Sequence, residues 1–144
     1  YCSHLIASMF KEDNFCFVCG RENPFGLRLS FSCSNDRAFA EFRITTNYQG
    51  YRGIVHGGVI AAILDEAMIK AASSDKRNAV TAAISIRFKN PLRVGEGASV
   101  EAVIKKSGSR LIEAYASIKG DDSRIVAEAN GRLLTAGKVS VELK

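Results

Sequence analysis

From Val59 to Ala72 almost every residue is a small or branched hydrophobe, with no proline and no glycine after Gly58. This run predicts a helix over about Gly57 to Ala72, buried on most of its circumference rather than along one stripe. Either side of it the pattern changes to alternation. "GLRLSFSCS" and "AFAEFRI" alternate apolar and polar residues around the turn-forming "SNDR", which predicts a hairpin from Gly26 to Ile44. "TTNYQGYRG" reads as a loop. After the helix, "AVTAAISIRFKNPL", "GASVEAVIKKSG", "RLIEAYASIKG" and "RIVAEANGRLLTAG" read as four strands punctuated by Pro91, Gly95-Glu96-Gly97, Gly108-Ser109 and Gly120-Asp121-Asp122. Their short connections imply consecutive antiparallel neighbours. Two strands, one long helix and four strands make an α+β layout. A helix buried nearly all round needs more than one sheet face to cover it, and a long antiparallel sheet wrapped around a central helix supplies that.

Asp65 and Glu66 interrupt the apolar run. A carboxylate in such a helix costs several kcal/mol unless something pairs with it, so each is either satisfied structurally or used chemically. Composition changes the picture only a little. The 144 residues fit one domain, 1–144, with residues 1–25 as a cysteine-containing lead-in. Hydrophobic content of 47% against 24% charged is ordinary for a soluble globular chain. No apolar run reaches the ~18 residues of a membrane span and no signal-peptide pattern opens the sequence, so the expectation is a cytoplasmic protein with no membrane partner. The net charge of +5 favours an anionic partner. No motif of the common nucleic-acid-binding modules is present, so nucleic acid is not expected.

Four cysteines, Cys2, Cys16, Cys19 and Cys33, lie in the first quarter. A disulfide-stapled domain would spread them further, and reduced thiols in a loop packed on the core are expected. Cys2 and His4 could complete a zinc site with Cys16-x-x-Cys19, but a second closely spaced pair is missing, and no metal or cofactor is expected.

"GIVHGGVIAAILDEAM" resembles the signature of hotdog-fold acyl-CoA thioesterases, and is most similar to the phenylacetate-degradation type: His56, Gly57 and Gly58, then Asp65 nine positions after the histidine. "VTAAISIRFKNPLRVGE" resembles the strand that follows in that family, and "CFVCGRENPFGLRLSF" the lead-in of a subset of its members. The match runs from Cys16 to about Gly137. The resemblance implies a hotdog fold and a thioester hydrolase acting on an acyl-CoA or acyl-carrier substrate. It also implies that the Gly57 N–H polarises the thioester carbonyl, with Asp65 as nucleophile or general base. Gly58, also in the motif, is assigned to substrate binding.

The chemistry requires fixed donors for the oxyanion that forms on the carbonyl, and a helix amino terminus offers unpaired N–H groups and the positive dipole end. Gly57 and Asp65 stand eight residues apart, about 12 Å along one helix, so one carbonyl cannot touch both. The site is therefore expected to join Gly57 of one subunit to Asp65 of another, in a homodimer or a dimer of dimers. His56 is assigned a positioning role, tying down its own loop. Thr81 aligns with a hydroxyl that orients the attacking water in related thioesterases, although an ordinary strand threonine reads the same way. Family members place an Asn or Gln side chain ahead of the His-Gly-Gly; at the position expected for Asn this chain has Gly50, leaving Gln49 and then Asn47 as substitutes. Glu66, about 100° round the helix from Asp65, reads as solvated or salt-bridged rather than catalytic.

Arg87, Lys89 and Arg93, with Lys105, Lys106 and Arg110, lie on or beside the middle strands. In "SIRFK" they alternate with Ile86 and Phe88, so one face is core and the other a cationic surface suited to the phosphates of coenzyme A. A non-catalytic acyl-CoA-binding or sensing domain is the alternative function, disfavoured because a binder has no need of Asp65. A hotdog dehydratase or hydratase would want a paired Asp and His, and His56 is the only internal histidine.

Overall fold

The computed structural model describes residues 13–74 and 78–135. Two short strands come first, β1 (Ser32–Ser34) and β2 (Arg37–Arg43), followed by a 3-10 turn at Thr46–Tyr48 and the helix α1 (Gly57–Ser73). Four long strands complete the chain: β3 (Ala79–Phe88), β4 (Gly97–Ser107), β5 (Leu111–Gly120) and β6 (Ile125–Thr135). All six form one antiparallel sheet in the order β1-β2-β4-β5-β6-β3, curved around α1 so that the helix touches every strand. This is the hotdog arrangement that the sequence predicts.

From Val59 to Ser74 no helical position is exposed, and Ile63, Leu64, Ala67, Met68, Ala71 and Ala72 are fully enclosed. The sheet meets them with alternate small and branched residues, among them Val100, Ala102, Ile112, Ala114, Ala116, Ile118, Ala129 and Leu133. Small side chains let the sheet bend closely over the helix. Gly131 marks one close approach, because a Cβ there would stand 2.7 Å from Met68 Sδ.

The hairpin forms where predicted, turning on Asn35 and Asp36 at φ of 50° and 60°. Its first strand is much shorter than the alternation suggests. Leu27 and Leu29 donate their N–H groups to Phe17 and Val18 of the lead-in, at 2.8 and 2.9 Å, instead of entering the ladder. Arg28, at φ 55°, breaks the strand between them. The lead-in is thereby seated on the core, with Val18 buried and Phe17 edge-on to Tyr48. Cys16 and Cys19 are free thiols, whereas Cys33 is disulfide-bonded, which corrects the expectation of reduced thiols for that residue. Cys2 and His4, named as zinc ligand candidates, lie outside the described residues. Among the described residues no helix is long and apolar enough to cross a membrane.

The edge strand β3 has an unusual inner face. A register shift between Thr81 and Ala83 puts Thr81, Ile84, Ile86 and Phe88 opposite Leu133, Gly131, Ala129 and Ala127, all on the helix side of the sheet. Yet Ile84 is 37% exposed and Phe88 57%.

Candidate functional site

The start of α1 is fixed from three directions. The loop before it closes on itself through Gly50 N–H to Ile54 O at 2.8 Å, with Gly53 turning at φ 77°. Val55 N–H then donates to Leu92 O and His56 N–H to Tyr48 O, each at 2.9 Å. His56 caps the helix, its Nδ1 accepting the Gly58 N–H at 2.8 Å. A neutral His56 ring consequently carries its own proton on Nε2.

A helix begins with four N–H groups that lack intrahelical partners. Here the His56 N–H donates to Tyr48 O, Gly58 to the His56 ring and Val59 to His56 O at 3.0 Å, while Ile60 makes the first regular helical bond, to His56 O at 3.2 Å. Among the described residues, the Gly57 N–H alone of the four meets no acceptor. Gly57 opens on a cleft of about 790 Å³. Gln49, His56, Ile60, Phe88, Lys89 and Leu92 contribute to its walls. Gln49 stands at the rim with its Oε1 engaged by Gly53 N–H at 3.1 Å, which leaves its amide N–H₂ as donor. Gly50 accounts locally for the absent asparagine: a Cβ there would meet His56 Cα at 3.3 Å.

Asp65 is elsewhere. Two turns further along α1 it is half-buried and accepts the Thr81 hydroxyl at 2.5 Å, across to β3. The bulge after Thr81 is what leaves that hydroxyl on the helix side. Glu66 points into a different environment. It accepts the Cys19 S–H at 3.3 Å and lies 3.9 Å from Lys70 Nζ, and burial pushes its carboxyl up to about 7. The two adjacent carboxylates thus serve different neighbourhoods.

Of the remaining predicted residues, Lys89 lies on the cleft wall and is 3.3 Å from Glu128. Arg87, opposite Glu128 in the ladder, and Arg93, bridged to Ile54, do not line the cleft. Asn47, exposed on the 3-10 turn, does not line it either. The cleft also uses Tyr51, Ile54, Phe88 and Leu92, which sequence reasoning missed. Phe88 and Leu92 read as ordinary core positions of a strand and its exit, and Tyr51 as an ordinary loop residue. Only the exposure of Phe88 and Tyr51 in the folded chain sets those two apart.

A one-helix hotdog with an unfilled N–H at the helix start and a threonine-bound aspartate two turns on defines a class that the sequence relationships also pick out. The family model described as the Thioesterase superfamily matches residues 52–127, and the chain belongs to that superfamily. It is 24% identical over 136 residues to acyl-coenzyme A thioesterase 13 of Homo sapiens, a match spanning 93% of this chain and 88% of the relative. Among solved structures it is similar to smu.793 of Streptococcus mutans bound to acetyl CoA, with a TM-score of 0.73 and 18% identity over 76% of this chain and 89% of that one. The E. coli PaaI protein from the phenylacetic acid degradation operon gives a TM-score of 0.72 at 22% identity, over 75% and 83%.

Proposed function

We propose that the chain hydrolyses the thioester bond of an acyl-CoA, in a site that joins the Gly57 N–H of one subunit to the Asp65–Thr81 pair of a second. The observation that carries this is the division of the machinery along one rigid element. Gly57 and Asp65 are eight residues apart on an unbroken helix, about 12 Å, and a single carbonyl group is far smaller. The bare inner face of β3 supports a partner there, since Ile84 and Phe88 extend the cleft's apolar wall to a free sheet edge. The names of the curated relatives supply the acyl-CoA.

In this mechanism the thioester oxygen accepts the Gly57 N–H. A water lies against Thr81 and Asp65 of the other subunit. The Thr81 hydroxyl donates its hydrogen bond to Asp65, so its oxygen is left to accept from the water. As the water oxygen bonds to the carbonyl carbon, its proton passes to Asp65, which we assign as general base. The oxyanion is held by the Gly57 N–H and the positive end of α1. Collapse breaks the C–S bond, and the departing thiolate takes the proton back from Asp65, leaving a free acid and a thiol. Lys89 is the predicted cation that borders the cleft and is assigned to a coenzyme A phosphate.

The test is a panel of acyl-CoAs with released thiol as readout. At least one should turn over, and Asp65→Asn, which keeps the shape and removes the charge, should lower kcat by at least ~10²-fold with the fold intact. Tight acyl-CoA binding without hydrolysis across the panel would replace this reading with a non-catalytic sensor.

A further inference from the structure

On the flank of α1 away from Asp65, the lead-in forms a compact turn around its cysteine pair. Gly20 N–H donates to Cys16 O at 2.9 Å and Val18 N–H to Cys16 Sγ at 3.4 Å, so the two thiols sit on one side of a closed turn. Gly20 is required there, since a Cβ would stand 2.3 Å from Cys16 N. Forty-seven residues further along the chain, Glu66 brings a carboxylate to the same point, and its Oε1 is 3.3 Å from Cys19 Sγ. One ligand atom from each of Cys16, Cys19 and Glu66 lies within 4.8 Å of the other two.

We propose that Cys16, Cys19 and Glu66 bind a zinc ion that clamps the lead-in to α1. Tetrahedral zinc with Zn–S near 2.3 Å and Zn–O near 2.0 Å separates a sulfur and an oxygen ligand by about 3.5 Å, close to the observed Cys19–Glu66 spacing. The N–H that points at Cys16 Sγ is a donor suited to a thiolate rather than a thiol. Charge balance points the same way. Two thiolates, one carboxylate and Zn²⁺ leave a single negative charge, and Lys70, whose side chain is only 10% exposed, lies 3.9 Å from Glu66 to neutralise it. The three ligands border a cleft of about 600 Å³, from which solvent completes the fourth position. Among the described residues, the acidic cluster of Glu96, Asp121 and Asp122 offers a contrast: Arg124 already fills it, with bonds of 2.6–2.8 Å to Glu96 and Asp122.

The full-length protein, purified with neither added metal nor chelator, should carry one zinc per chain by elemental mass spectrometry. X-ray absorption should show two sulfur ligands at about 2.3 Å and oxygen or nitrogen at about 2.0 Å. Cys16→Ser with Cys19→Ser should abolish zinc retention, and Glu66→Gln should weaken it by at least ~10-fold in chelator competition. Metal-free protein would overturn the proposal, as would a Cys16–Cys19 disulfide in its place, three or more sulfur ligands, or zinc retention indifferent to Glu66→Gln. The first three outcomes are read on the wild type and need no variant to fold.

Discussion

The Thr81 hydroxyl donates its one hydrogen bond to Asp65, at 2.5 Å. That bond ties the carboxylate to β3 and leaves the threonine oxygen as an acceptor, so in the proposed mechanism Thr81 orients the water and the base together. Losing it should cost a single hydrogen bond, about 0.5–1.5 kcal/mol, rather than the whole proton transfer. Thr81→Val is accordingly expected to lower kcat roughly 3- to 10-fold with little change in KM, and Thr81→Ser to restore most of it. Steady-state kinetics of the two variants decide. A Thr81→Val enzyme as fast as wild type would make the residue an ordinary strand threonine. His56 works at the same scale but through the backbone: by taking up the Gly58 N–H, it leaves Gly57 as the one open donor at the helix start.

Among the connections, the Pro91–Gly97 segment matters most, because Leu92 O receives Val55 N–H and so helps set where α1 begins. That segment is pinned by Glu96, which accepts two Arg124 hydrogen bonds at 2.6 and 2.8 Å and the Arg93 N–H at 3.1 Å, while Arg124 also donates to Pro91 O at 2.9 Å. The Arg124 guanidinium holds the Glu96 carboxyl at about 2, below its ordinary 4.5. A carboxyl depressed in the folded state contributes stability that is present above its unfolded value and lost as pH falls through the folded one. The pair should therefore stabilise the fold in full above about pH 5 and progressively less toward pH 2. Thermal melts at about pH 6 and about pH 3 should show the stability deficit of Glu96→Gln largest at the higher pH and clearly smaller at the lower. An equal deficit at both would remove the ion pair as the cause.

For the whole molecule, the proposed two-subunit site makes a prediction that one chain cannot meet. Gly57→Pro deletes the free N–H while respecting the backbone. Proline suits the first helical position, and His56 before it is already extended at φ −60° and ψ 136°. Alone, Gly57→Pro and Asp65→Asn subunits should each be inactive. Mixed, they should form dimers holding one intact Gly57–Asp65 pair across the interface, and about a quarter of wild-type activity should return if subunits mix at random. Mixed dimers identified by mass and as inactive as either parent would show that the two residues do not act across an interface.

Some of this was legible in the chain itself. The length and apolarity of the Val59–Ala72 run fix a helix that only a wrapping sheet can cover, and the alternation that follows fixes four strands. Both are local periodicities, which a sequence displays directly. Asp65 stood out as a carboxylate in an apolar run and His56 as a side chain placed to tie down the loop before the helix, whereas the roles of Gly57 and Asp65 came from the resemblance carried by the His-Gly-Gly motif. What joined Thr81 to Asp65 was a bulge, visible only once β3 had paired with β6. The same alternation that wrote a nine-residue first strand gave way because Leu27 and Leu29 found N–H acceptors in the lead-in. Glu66 looked like an ordinary charged helix residue until folding brought it to Cys19 across forty-seven positions. Local pattern determines which elements form. The partners of a polar side chain depend on which distant group folding brings within about 3 Å, and that is decided only when the elements pack.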